Sequence, residues 1–447
     1  MSDELAPDPS PSRHRAPRVR IRVVVAVAVV IAVGLVAVGI GAGRSQRGAA
    51  PHARSPSRAA APQPAAATPA AAIRVVLARR SRAILHHNRA ALLATIDPTR
   101  RRFAARQGRM LANLRRVPLA AWSYTVATTR PRTGLRVPTY SARVSLHYRL
   151  RGFDSMPTDL TQYPTFTDRS GRWYLASLSD QAGRVSATEL WDYGPVDVVR
   201  RPHVLVLGPP SMLGTMHQVA DGLHDAIPRV TAVWGQRWPR RVVAEVPATQ
   251  RELGEITGDR GGVAQLAALS SAEISSRPGR PAPVGDRVSV NPKLWPSLDT
   301  LGRQVVLTHE LTHVASRADT GSQTPRWLQE GFADYVGFAG SGVPAGVIAA
   351  ELGRGVRAGR RPRELPGDHR FVGSSTGLPQ AYQEGWLACR LIAARAGQRG
   401  LVRFYRLVGT STAGTGPAVD HAFHRILHLS TRQFTALWRT YVRQQLG

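Results

Sequence analysis

His309-Glu310-Leu311-Thr312-His313 sets two imidazoles four positions apart, with a carboxylate directly after the first. On a helix that spacing puts both histidines on one face, where both can reach a single metal. Glu310 points to the same side and can take a proton from a water held there. In a chain with 14 histidines among 447 residues, chance alone yields such a pattern roughly once in fifty cases. The flanks agree with a site: Leu301, Val305, Leu311 and Val314 give the helix an apolar side for packing while the histidines face a cleft.

A catalytic zinc needs three protein ligands and one open position, and a His, His, Glu set is one known solution. Glu330, 17 positions beyond His313, supplies the third ligand. It lies in Thr324-Pro325-Arg326-Trp327-Leu328-Gln329-Glu330-Gly331-Phe332-Ala333-Asp334-Tyr335, which reads as a second amphipathic helix capped by Thr324 with Pro325 at its first position. Asp334, one turn after Glu330, shares its face. There it can accept a hydrogen bond from the outer nitrogen of a ligand histidine, His309, and fix its tautomer.

The elements that must position these groups form an α+β chain in several parts. Residues 1–22 are a basic tail and residues 23–43 an unbroken run of apolar residues and glycine, long enough to cross a bilayer as one helix. Arginines at 13, 15, 18, 20 and 22 precede the run, and arginines at 44, 47, 54 and 58 follow it. This bias predicts a cytoplasmic amino terminus, an uncleaved signal anchor and an extracytoplasmic catalytic part, hence a single-pass protein of the cell membrane. Residues 44–72 are an Ala/Pro-rich linker. From 73 to 197 the spacing predicts two helices broken at Asp97-Pro98, then an antiparallel sheet from WSYTVATT, TYSARVSLHYRL, YPTFTD and RWYLASLSD. A second domain spans 199–447: strands at HVLVLG, RRVVAEVP and RVSVNP, a helix over 211–226, and a long helical series from Leu301.

The net charge is +31, and Lys293 is the only lysine. The arginines are spread along the whole chain, whereas a nucleic-acid binder gathers them on one patch with aromatic neighbours, so nucleic acid is an unfavoured partner. An anionic cell-surface polymer is a better-matched partner for a basic surface. Cys389 is the sole cysteine, so no intramolecular disulfide exists, and its setting in WLACRLIA reads as a packed core thiol.

HELTH followed by WLQEGFADY resembles the gluzincin zinc metallopeptidases, above all the thermolysin-like catalytic domain of the aminopeptidase N family, over about residues 285–400. The resemblance implies a mainly helical metallopeptidase domain with a small sheet before it, Zn2+ as cofactor, and a peptide or protein substrate. It also implies a tyrosine that binds the oxyanion, and Tyr382 in Ala381-Tyr382-Gln383-Glu384-Gly385 matches it. A substrate-pairing edge strand is implied too, matched to Arg287-Val288-Ser289-Val290-Asn291, with Val288, Val290 and Asn291 as contacts. The chain lacks the Gly-Ala-Met-Glu-Asn segment by which the aminopeptidases hold a free amino terminus, which leaves endo- or exopeptidase action open. The helix-then-sheet order of 73–197 resembles the nuclear-transport-factor-2-like fold.

Three other features point elsewhere. Gly373-Ser374-Ser375-Thr376-Gly377 matches a nucleophile elbow in letters but lacks the strand before it. His421, His424 and His428 share a helix face that reads as solvated, and His86, His87 and His369 have no partners in the sequence. The rival to a peptidase is a binding or scaffold protein built on a degenerate metallopeptidase fold.

Overall fold

The computed structural model describes residues 68–179, 184, 186–258, 265–274, 283–372 and 375–447. The run 23–43 and the residues Gly373 and Ser374 lie outside them. Among the described residues no helix is long and apolar enough to cross a membrane. The expectation of a single-pass membrane protein is corrected accordingly. The longest of the described helices, in the carboxy-terminal part, carries Glu384, Arg390, Arg395, Arg399, Arg403 and Arg406.

The chain is α+β. Helix α1 (Pro69–Leu85), capped by the Thr68 hydroxyl, and α2 (Arg101–Asn113) flank a short helix at Arg89–Leu93, one helix more than the periodicity predicts. Strands β1 (Leu119–Arg132), β2 (Thr139–Leu150), β3 (Thr158–Gln162), β4 (Thr165–Arg169) and β5 (Arg172–Ser177) then form an antiparallel sheet ordered β1-β2-β4-β5, with β3 also on β2. Asp97, at the expected break, is buried beneath it. Its carboxylate accepts both arms of Arg169 at 2.9 Å and the hydroxyls of Thr99 and Thr167. Burial pushes that carboxyl up, but these hydrogen bonds outweigh it and hold it at about 2.

A second sheet follows: β6 (Asp197–Arg201), β7 (Val204–Gly208), helix α3 (Leu213–Trp234), β8 (Val242–Glu245), β9 (Ala268–Ile274) and β10 (Pro283–Val290). The order is β6-β7-β8-β10-β9, parallel at β7/β8 and β8/β10 and antiparallel at both outer pairs. Alternation along the strands divides its residues between two cores. Val204, Val206, Val242, Ala244, Val288 and Val290 face the helical layer, while Leu205, Leu207 and Val243 join Trp122, Tyr148 and Trp191 of the amino-terminal unit.

The helical layer comprises α3, α4 (Thr300–Ser316), α5 (Arg326–Gly337), α6 (Leu378–Gly409), α7 (Thr415–Leu427) and α8 (Thr431–Leu446). Helix α6 is broken at Gly397, whose φ of 71° suits glycine. Helix α3 runs eight residues past the predicted end, through Pro228, because Val230 and Trp234 continue its buried stripe. At its heart Trp234, Phe332 and Tyr405 pack with ring centroids 5.1–5.4 Å apart.

One expectation about the sheet is overturned. β10 is flanked on both sides by β8 and β9, and Val288, Val290 and Asn291 are wholly buried, so they cannot meet a peptide at an edge. The edge belongs to β9. Its sequence, Ala-Leu-Ser-Ser-Ala-Glu-Ile, has too little β-branched or alternating character to mark a strand.

Candidate metal centre

Helix α4 begins at Asp299, whose carboxylate accepts the Gly302 N–H at 2.8 Å, and every residue from Val305 to Ser316 is buried. It is held on three sides. Gly222 of α3 admits Leu307 so closely that a Cβ would lie 2.5 Å from the leucine methyl, Gly337 of α5 meets the Val305 carbonyl, and β9 runs alongside. Thr308 and Thr312 bond back to the carbonyls of Gln304 and Thr308, which keeps their hydroxyls satisfied inside the helix.

Helix α5 starts one residue later than predicted. Its cap residue is Pro325, and the Thr324 hydroxyl instead accepts the Gly321 N–H. The first free amide of the helix, that of Arg326, is taken by the Asp368 carboxylate at 2.8 Å. Asp368 stands 42 positions away in sequence and carried no local signature of a cap.

The depth of α5 is set against α6. A Cβ at Gly331 would stand 2.3 Å from the Gly385 carbonyl group, and one at Gly385 would stand 2.6 Å from the Trp327 oxygen. The two helices therefore cross backbone to backbone. Both glycines close a Gln-Glu-Gly triplet, and the neighbouring side chains lock the crossing. Gln329 donates to the Thr324 carbonyl at 2.6 Å, the Gln383 oxygen accepts the Leu352 N–H at 2.7 Å, and Glu384 is gripped by both arms of Arg370.

These contacts bring His309, His313 and Glu330 together. The two Nε2 atoms are 3.0 Å apart, and each lies 3.3 Å from Glu330 Oε2. Ligand atoms about 2.0–2.1 Å from a tetrahedral zinc are separated by about 3.3 Å, so the donor set fits that ion. Asp334 Oδ1 lies 2.8 Å from His309 Nδ1, on the side away from the cluster. Among the described residues, the donor atoms of these three side chains are the ones that converge as metal ligands would.

The electrostatics ask for a cation. Three carboxylates, Glu310, Glu330 and Asp334, are buried within one cluster with two imidazoles. Burial opposes a charged imidazole at His309, but the hydrogen bonds to Asp334 and Glu330 outweigh it and lift the ring to about 10. At His313 burial wins and lowers it. Burial would raise Glu330, yet the two histidines hold it well below the ordinary carboxylate range. A positive charge at the shared point relieves the same field that draws a proton onto His309.

Glu310 has neither carboxylate oxygen in a regular hydrogen bond, and the Ser270 hydroxyl of β9 is near it without completing one. Its carboxyl is pushed up to about 7, first by burial and then by Glu330, with His309 opposing. The Tyr382 hydroxyl is also buried and unpartnered. Burial, followed by the fields of Glu330, Asp334 and Glu310, drives that phenol well above its ordinary value. Five expected residues are thus gathered with Tyr382 around one point, while Val288, Val290 and Asn291 are not. Ser270 and β9 went unseen in the sequence, as did Arg326, whose guanidinium lies 3.8 Å from Glu330 Oε1. An arginine one turn before a glutamate was the only sign.

The remaining features resolve simply. Cys389 is buried and free, no strand among the described residues leads into Ser375, and His424 lies 3.4 Å from Asp420 on an exposed face.

No family model matches the sequence, and no curated protein matches it. Among solved structures, yeast LTA4 hydrolase is similar over 63% of this chain and 43% of its own, at 14% identity and a TM-score of 0.35. A mutant M1 zinc metallopeptidase from Deinococcus radiodurans is similar over 61% of this chain and 58% of its own, at 15% identity and a TM-score of 0.34. A two-domain M1 zinc metallopeptidase mutant bound to L-arginine matches over 72% and 84%, at 14% identity and a TM-score of 0.33. The chain covers less than two thirds of the first two. Likenesses this loose carry no chemistry to the chain, and they give no support to the nuclear-transport-factor-2-like reading of residues 73–197.

Proposed function

We propose that the chain is a zinc-dependent peptidase, with His309, His313 and Glu330 holding the metal. The observation that carries this reading is the convergence of three donor atoms at 3.0–3.3 Å beside two buried, unpartnered groups, Glu310 and Tyr382. When bound at such a donor set, zinc acts as a Lewis acid and makes water a stronger acid.

Glu310 takes a proton from the attacking water and passes it to the leaving nitrogen. Its burial and lack of partners suit a base that must hold its proton only briefly. Tyr382 donates its phenolic hydrogen to the oxyanion that develops on the scissile carbonyl. Asp334 keeps His309 in one tautomer and orientation. The substrate backbone, in this reading, adds along the outer edge of β9, unpaired among the described residues, beside Glu310, which replaces the assignment to β10. Acting on peptides also fits the gluzincin resemblance of HELTH and WLQEGFADY.

Metal content by mass spectrometry tests the proposal, on the purified chain and on Glu330→Ala. One zinc per chain, lost or greatly weakened in the variant, is the expected result. A wild-type protein that binds no zinc would sink the reading and favour the scaffold alternative.

A further inference from the structure

A separate cavity of about 550 Å³ opens in the amino-terminal unit, between the start of α2 and the sheet. Arg100, Arg101, Arg102, Arg106 and Arg132 line it, and among the described residues no acidic side chain does. Three of these arginines sit at the first turn of α2, the positive end of the helix dipole, where acidic residues are favoured. That turn has no acidic residue, and the cap position, Arg100, offers no side-chain hydrogen bond to its amides.

Asp97, the adjacent acid, is buried and committed to Arg169, Thr99 and Thr167. Among the described residues, the guanidinium groups of Arg100, Arg101 and Arg102 make no ion pair or hydrogen bond. Thr165 supplies an independent sign. It lines the cavity at 5% exposure, and among the described residues its hydroxyl makes no hydrogen bond while the oxygen keeps some exposure, which leaves it able to donate to a ligand there.

Helix amides, guanidinium forks and a hydroxyl facing one cavity form a set rich in donors, which is the chemistry of an anion site. The volume suits a small molecule rather than a polymer. We propose that this cavity binds a compact multivalent oxyanion, held by Arg100, Arg101, Arg102, the first-turn amides of α2 and the Thr165 hydroxyl. Phosphate and carboxylate groups both match the guanidinium fork.

Isothermal titration of the full chain with tripolyphosphate and with citrate tests this and tells the two chemistries apart. Saturable one-to-one binding of either anion is expected. Arg101→Glu with Arg102→Glu should weaken it at least ~10-fold, and should raise the melting temperature of the anion-free protein by relieving the helix end. Arg399→Glu with Arg439→Glu, an equal charge change on exposed helix faces, should leave affinity within about twofold. Thr165→Val, nearly isosteric, should weaken binding about 3- to 10-fold and keeps the test alive if the double variant does not fold. Absence of saturation with both anions, equal weakening by the two charge-matched pairs, or unchanged affinity in Thr165→Val would each overturn the proposal.

Discussion

At the residue scale, two buried groups of the proposed metal centre, Glu310 and Tyr382, make no regular hydrogen bond. Glu310 has no structural partner to lose, so Glu310→Gln should leave the fold and the zinc in place while kcat falls about 10²- to 10⁴-fold, the usual worth of a general base. Retained turnover in a zinc-loaded variant would remove Glu310 from the chemistry. Tyr382→Phe deletes a buried hydroxyl that bonds to nothing, so thermal stability should hold or rise slightly. Its kcat should drop about 10²-fold with KM little changed, since an oxyanion donor acts only in the transition state. Asp334→Ala acts through His309, and metal competition should show zinc affinity weaker by about 10- to 100-fold.

At the element scale, the site depends on how closely two helices approach. Glu330 is on α5 and Tyr382 on α6, and their separation is fixed by Gly331 against Gly385. Gly331→Ala places a methyl where the Gly385 carbonyl now lies, with backbone on both sides and no flexible side chain to give way. The variant should lose about 1–3 kcal/mol in denaturant unfolding and lose turnover as well, because the helices must part. A fully stable and active Gly331→Ala protein would show that the crossing is looser than described. The same scale explains the misplaced substrate strand. The resemblance matched the edge strand to Arg287-Val288-Ser289-Val290-Asn291, shortly before the HExxH helix, but whether a strand lies at the edge or inside is a property of the sheet order.

At the scale of the whole molecule, the second sheet is the shared wall of two layers. Arg287 of β10 points away from the helices and meets the Asp154 carboxylate with both arms, at 2.8 and 3.0 Å, with both side chains buried. Its other neighbours are Tyr148, Thr158 and Glu245. Arg287→Ala strands Asp154 and Glu245 as buried charges and should cost about 3–5 kcal/mol. A second tie lies within the amino-terminal unit. The Asp97 carboxyl titrates near 2 when folded, below its ordinary 3.8, so its contribution is fully present above about pH 4 and is lost as pH falls toward 2. The shift corresponds to roughly 2 kcal/mol. Acid unfolding of Asp97→Asn should therefore show a shallower loss of stability across that window than the parent chain.

The local sequence determined the parts of this protein that depend on short spacing. Two histidines four apart and an acid one turn from Glu330 take the same faces on any helix, so His309, His313, Glu330 and Asp334 were legible before any fold was known. The apolar periodicity likewise marked the helices and the strands with strong alternation. Contacts between distant segments were not legible, because no periodicity encodes which strand ends a sheet or which acid reaches a helix end 42 residues away. The tertiary structure alone decided that β9 and not β10 is the edge, that Ser270 lies beside Glu310, and that Asp368 caps α5. It also decided that Gly331 and Gly385 meet, since each glycine matters only for the backbone that packs against it.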